Sequence, residues 1–178
     1  MTQKSQFDQA KEIILYAPYI RRHAQVFFFD AMKEGYAADS EPGTLLQVPG
    51  SKTQEYSEGP WRLLDTYLVT PLGDQSGGTT FIWYDDIPIW MMQYIGSYSK
   101  EALFCLKIAL MENYGKNIFL GGRGPETLLY EGYLYLNQVQ QNEFYGHTYG
   151  REMIISPQGS ICGMHRYQAQ WLVSGGIW

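Results

Sequence analysis

The sequence predicts an α+β domain, a twisted antiparallel sheet of about six to eight strands with its helices on one face. Three observations predict it. Strand-like alternation recurs from Trp61 to Gln168, punctuated by Gly, Pro and Asp-Asp turn residues. Segments with helical apolar spacing precede each run of strands. The second half also repeats the first: Glu58-Gly59-Pro60-Trp61-Arg62-Leu63-Leu64-Asp65 returns, after one deletion, as Glu131-Gly132-Tyr133-Leu134-Tyr135-Leu136-Asn137. Gly78, Ile82, Ile89 and Met92 return as Gly150, Ile154, Ile161 and Met164, each 72 residues later. A duplicated unit of helix plus strand meander accounts for this, with copies at about 23–96 and 97–170 of a single domain over 23–178, and residues 1–22 as an N-terminal helical extension.

The elements follow in order. Phe7 to Tyr16 and His23 to Glu34 read as two helices separated by Pro18, which lacks a backbone donor and disfavours helix before it. Ala37 to Gly59 is rich in Gly, Pro, Ser and Glu without a period and reads as a long surface excursion. Trp61 to Val69 alternates as a strand, with Leu64 and Leu68 on one face and Asp65 and Tyr67 on the other. Pro71 to Gly78 reads as a loop, and Thr79 to Tyr84 and Ile87 to Tyr94 as a hairpin around Asp85-Asp86. Ser99 caps a helix whose buried side carries Leu103, Leu106 and Leu110, closed by Gly115. After Gly121-Gly122-Arg123-Gly124-Pro125, strands are expected at 128–137, 143–149, 152–155 and 161–168.

A chain of 178 residues suits one core, and 16% aromatic against 17% charged residues leaves ample apolar material for it. A net charge of −5 with scattered basic residues argues against a nucleic-acid surface. Apolar runs such as Val26 to Phe29 are too short to span a bilayer, and Met1 to Gln9 lacks the basic-then-apolar pattern of a leader, so a cytoplasmic protein is expected. Cys105 and Cys162 are expected as buried free thiols.

Two matched polar pairs stand out, Asp65 with Asn137 and Gln93 with His165, and the expected place for them is the uncovered sheet face, near a pseudo-twofold axis. Tyr67, Trp83, Trp90 and Tyr94 would wall a pocket there, since ligand sites combine aromatic lining with a few convergent polar groups. Glycines 121, 122 and 124 with Arg123 could cradle an anion, although the segment has neither a dinucleotide fingerprint nor a P-loop and reads first as an ordinary turn. Cys162 and His165, three apart on a strand, point to opposite faces, so no metal site is expected and no cofactor is implied. His23, His147 and His165 lack a nucleophile motif beside them, so no catalytic residue is assigned. The expected ligand-binding set is Asp65, Tyr67, Trp90, Gln93, Arg123, Asn137, Glu152 and His165.

Pro49-Gly50-Ser51-Lys52, Tyr56-Ser57-Glu58-Gly59, Leu64-Asp65-Thr66-Tyr67, the Ile89-to-Tyr94 strand and Gly175-Gly176 together resemble a family of uncharacterised bacterial domains. The match runs from about Phe27 to the C-terminus. Some members lie behind an N-terminal helix-turn-helix in chains labelled as transcriptional regulators, which implies a ligand-sensing module. Here the roughly 20 residues before His23 are too few for a whole helix-turn-helix, so direct DNA contact is not expected. Where the family shows a Gly-Glu-Glu-like segment this chain has Gly77-Gly78-Thr79-Thr80-Phe81, and Glu152 keeps an acid in the second half only.

These readings lead to a non-enzymatic, sensor-like domain that binds a small molecule or a partner. One alternative is a hydrolase or transferase acting on a small anionic substrate, with Arg123 orienting it and His165 or Glu152 as base. The other is a homo-oligomerisation module, in which aromatics form the seam of a homodimer.

Overall fold

The computed structural model describes residues 6–37, 42–45 and 47–173. Among the described residues it is a single α+β domain with two helices and one eight-stranded sheet. Helix α1 spans Gln6–Ala37, followed by β1 (Ser51–Glu58), β2 (Trp61–Val69), β3 (Gln75–Tyr84) and β4 (Ile87–Tyr98). Helix α2 spans Ala102–Tyr114, followed by β5 (Thr127–Tyr130), β6 (Tyr133–Asn142), β7 (His147–Ile155) and β8 (Ile161–Trp171). The sheet order is β1-β2-β3-β4-β8-β7-β6-β5, and every neighbouring pair is antiparallel. Each meander therefore ends on the strand that meets the other, and β4 against β8 forms the central seam.

Several expected boundaries need correction. Instead of two helices broken at Pro18, α1 runs through it. Ala17, Ile20, Ala24, Phe27, Phe28 and Ala31 form one buried stripe across the proline, whose own ring is exposed. Packing of that stripe outweighs the roughly 3 kcal/mol that a proline costs inside a helix. The expected excursion contains β1, and its residues 38–41 and 46 lie outside the described residues. β3 starts at Gln75, inside the expected loop, and β7 is continuous where two strands were expected. The strand expected at 128–137 is a hairpin, because Glu131 and Gly132 take φ of 49° and 82° and turn the chain between β5 and β6. Asp85 and Asp86, at φ 51° and 64°, make the anticipated tight turn in the same way.

The helices and the loop after α2 bury one face of the sheet. Phe27 packs on Trp61 and Tyr56, and Phe28 contacts Trp90, Phe144 and Tyr114. Helix α2 turns Ala102, Cys105, Leu106, Ala109 and Leu110 inward; Leu103, expected among them, is exposed. Ser99 Oγ accepts from the Ala102 amide at 3.3 Å, at the start of that helix. Cys105 and Cys162 are free thiols, the first buried and the second half-buried. Among the described residues no helix is long and apolar enough to cross a membrane.

Along β2 the alternation has the opposite sense to the one expected. Trp61, Leu63 and Asp65 share the buried side, whereas Leu68 on the other side is 49% exposed. Asp65 is thus carried into the core by the same period of two that buries Trp61 and Leu63.

Candidate functional site

The two faces of the sheet hold two different groups of polar residues. The covered face contains a buried network centred on Glu152, which is fully buried on β7. Its carboxylate accepts hydrogen bonds from Tyr98 at 2.5 Å, Tyr135 at 2.6 Å and Arg123 Nε at 2.8 Å, and also pairs with an Arg123 terminal nitrogen. Burial alone would raise the Glu152 carboxyl, but the Arg123 charge and these hydrogen bonds hold it below the usual carboxylate range. The Arg123 guanidinium lies over the Tyr94 ring at 5.8 Å. Tyr94 in turn donates to Asp65 at 2.9 Å, and Thr80 donates to the same oxygen at 2.7 Å. Burial raises the Asp65 carboxyl, and the hydrogen bonds from Thr80 and Tyr94 and the Arg123 charge offset this only in part.

The second meander builds a matching contact. Tyr167 donates to Asn137 Oδ1 at 2.6 Å, as Tyr94 donates to Asp65, and Tyr94 and Tyr167 are direct partners across the β4/β8 seam. Each tyrosine crosses a glycine on the strand beside it, Gly78 for Tyr94 and Gly150 for Tyr167. A Cβ at Gly78 would sit 2.6 Å from the Tyr94 hydroxyl, and one at Gly150 2.5 Å from the Tyr167 hydroxyl. The missing side chains are what let both rings lie flat and reach the second strand of their own meander.

His165 does not match Gln93. The last hairpin of each half carries a register shift, after Ile82 in the first and after Ile154 in the second. The turn from Ser156 to Ser160 is longer than Asp85-Asp86, so Tyr167, and not Arg166 at the offset of 72, crosses its glycine and meets the seam as Tyr94 does. His165 consequently faces the core and Gln93 the exposed side. The imidazole lies against the Tyr98 ring at 4.3 Å, with Nε2 3.2 Å from Ser76 Oγ and Nδ1 buried without a hydrogen-bond partner. Burial, reinforced by the Arg123 charge, pushes His165 down to about 4.

The glycine loop is stitched into this interior. Gly121 and Gly122 both take φ of 67°. The Gly121 amide donates to Asn142 and the Gly124 amide to Tyr135, while Asn113 and Asn137 donate to the loop's carbonyls. Those amides are occupied and Arg123 is paired to Glu152, so the loop is strapped onto the sheet.

The expected residues therefore divide. Asp65, Arg123, Asn137, Glu152 and His165 meet in the interior, each at most 4% exposed, and Tyr67 lies half-buried on the Asp65 side. Trp90 is a fully buried core residue stacked on Phe144 at 5.4 Å, with its indole nitrogen unpartnered. Of the eight, Gln93 alone turns its side chain to the uncovered face, where it accepts from Gln168 at 3.1 Å.

That uncovered face forms a groove of about 1320 Å³ running across the seam from the β2 end (Leu68, Val69) to Gln140 and His147. Among the described residues that line it, none is acidic. Of its lining, Gln93 and Tyr94 are among the residues expected from the sequence, whereas Ile95, Arg151 and Arg166 are not. Arg151 and Arg166 are direct cross-strand partners, both exposed, and Ile95 lies next to Arg166 across the seam. The chain is thus an open-faced antiparallel α+β domain with a sealed polar interior and an exposed groove. Comparison with protein-family models, curated proteins and solved structures returns no significant match.

Proposed function

We propose that this protein is a sensor-like, non-catalytic domain that binds a small molecule in the groove on the open face, and that the buried polar network serves as its scaffold. The observation carrying this reading is the division of the two faces. Glu152, Asp65 and His165 are paired or sealed in the interior, whereas the groove is large and open and, among the described residues, is lined by no acid, with His147 at one end. The motif resemblance to bacterial domains found behind helix-turn-helix segments supports a sensing role. We also read the two meanders as copies of one duplicated unit. The shared element order and the matched Tyr94–Asp65 and Tyr167–Asn137 contacts support this.

A thermal-shift screen of metabolite mixtures tests the binding role, because a ligand that binds only the native state raises the melting temperature in proportion to the logarithm of its concentration. Thr79→Trp supplies the control. Thr79 faces the groove, so an indole there should abolish the shift of any true ligand while leaving the unliganded melting temperature nearly unchanged. Ligands that still stabilise the Thr79→Trp variant would place binding elsewhere and overturn the reading.

A further inference from the structure

We infer that the groove takes an amphiphilic anion, a carboxylate or phosphate head carrying an apolar body, with the head on Arg151 and Arg166 and the body laid across the strands over Ile95, Gly77 and Leu68. This deepens the binding role above and rests on it.

The registers place these residues in one row. Arg151 is opposite Arg166, Arg166 opposite Ile95, Ile95 opposite Gly77, and Gly77 opposite Leu68. Two arginines directly opposite each other repel, and such like-charged pairs are unfavourable in a sheet. Nothing nearby relieves this pair: among the described residues Arg166 has neither a hydrogen-bond nor an ion-pair partner, and the groove has no acid, in a chain whose net charge is −5. Arg151 is oriented by its Nε donating to Gln138 Oε1 at 2.7 Å, a bond that leaves its terminal nitrogens unclaimed. Paired guanidinium groups with free donors suit a carboxylate or phosphate.

The rest of the row fits the other end of such a molecule. Ile95 is 69% exposed and Leu68 is 49% exposed, while Gly77 between them has no side chain to obstruct a body lying on the backbone. From Arg166 to Leu68 the row crosses three strand spacings, roughly 14 Å. The site therefore reads as a charged head position followed by a flat apolar track.

Titration calorimetry with decanoate and decyl phosphate tests this, alongside decanol and inorganic phosphate as controls and below the concentrations at which the amphiphiles aggregate. Saturable binding of at least one amphiphile is expected, stronger than either control, with amide shifts at Gln93, Ile95, Arg166 and Gln168. Arg166→Gln and Arg151→Gln should each weaken it by about tenfold or more. Ile95→Thr should weaken the amphiphiles and leave phosphate unaffected. Preference between the two amphiphiles assigns the head as carboxylate or phosphate. Decanol binding as tightly as decanoate, or unchanged affinity in both arginine variants, would overturn the assignment. The two levels separate cleanly: a screened ligand lost in Thr79→Trp but indifferent to Arg166→Gln leaves the groove standing and removes the arginine head site.

Discussion

Replacing Glu152 by Gln removes the negative charge that the buried guanidinium of Arg123 touches directly, while leaving the side-chain volume nearly unchanged. One carboxylate oxygen accepts from Tyr98 and both Arg123 nitrogens, and the other accepts from Tyr135. A glutamine must present an amide to one of these sets of donors. If it faces Tyr135, that hydroxyl loses its acceptor while still receiving the Gly124 amide at 3.0 Å. If it faces Arg123, two cationic donors lose theirs. Breaking a buried pair from one side costs about 3–5 kcal/mol, a large part of the 5–15 kcal/mol that holds a typical domain folded. For a chain of this length that corresponds to a drop of about 6 to 20 °C in melting temperature. Urea unfolding followed by far-UV circular dichroism gives the free energy, and calorimetry the temperature. The double variant Arg123→Met with Glu152→Gln should recover much of the loss, since the uncompensated charge is then gone. A single-variant loss below about 1 kcal/mol would refute the claim that the network is the scaffold.

Further outcomes follow from the same geometry. Burial holds His165 down to about 4 in the folded state, against about 6.5 for an ordinary imidazole, so stability is fully present above that ordinary value and is lost as the pH falls towards 4. The loss should reach about 3 kcal/mol and be absent in His165→Met, as urea midpoints across that range would reveal. Asp65 has the opposite sense: its raised carboxyl favours the folded state in acid, and the benefit disappears as the pH rises through the carboxylate range. Asp65→Asn, which copies the Asn137 arrangement, should therefore be neutral or stabilising at pH 7, and a loss above about 2 kcal/mol would contradict that. Gly150→Ala drives a methyl to 2.7 Å from the Gln138 carbonyl and 2.5 Å from the Tyr167 hydroxyl, with an expected cost on the order of 1–3 kcal/mol in chemical denaturation.

The fold class was legible because alternation and turn residues act locally. Strand β1 was not, since Ser51–Glu58 sits at the sheet edge and shows little apolar alternation. Leu64 and Leu68 suggest the opposite sense for β2, whereas the phase of Trp61 and Leu63 carries Asp65 inward. Of the sites, the match of Asp65 with Asn137 is legible in the sequence, and each accepts from a tyrosine across a neighbouring strand. The union of Arg123 with Glu152, 29 residues apart, depends on how the loop after α2 crosses the sheet, which no local pattern encodes. Gln93 and His165 parted because a longer turn shifts the last strand. The Arg151–Arg166 row exists only once the register of β7 on β8 is known.

The division between a sealed arginine in the scaffold and two open arginines in the groove is read most directly from the side-chain Nε–H signals of the arginines during a decanoate titration. It predicts that Arg151 and Arg166 shift and saturate together while Arg123 stays unmoved and protected from hydrogen exchange. An Arg123 signal that exchanges freely, or that shifts while those of Arg151 and Arg166 stay still, would contradict it.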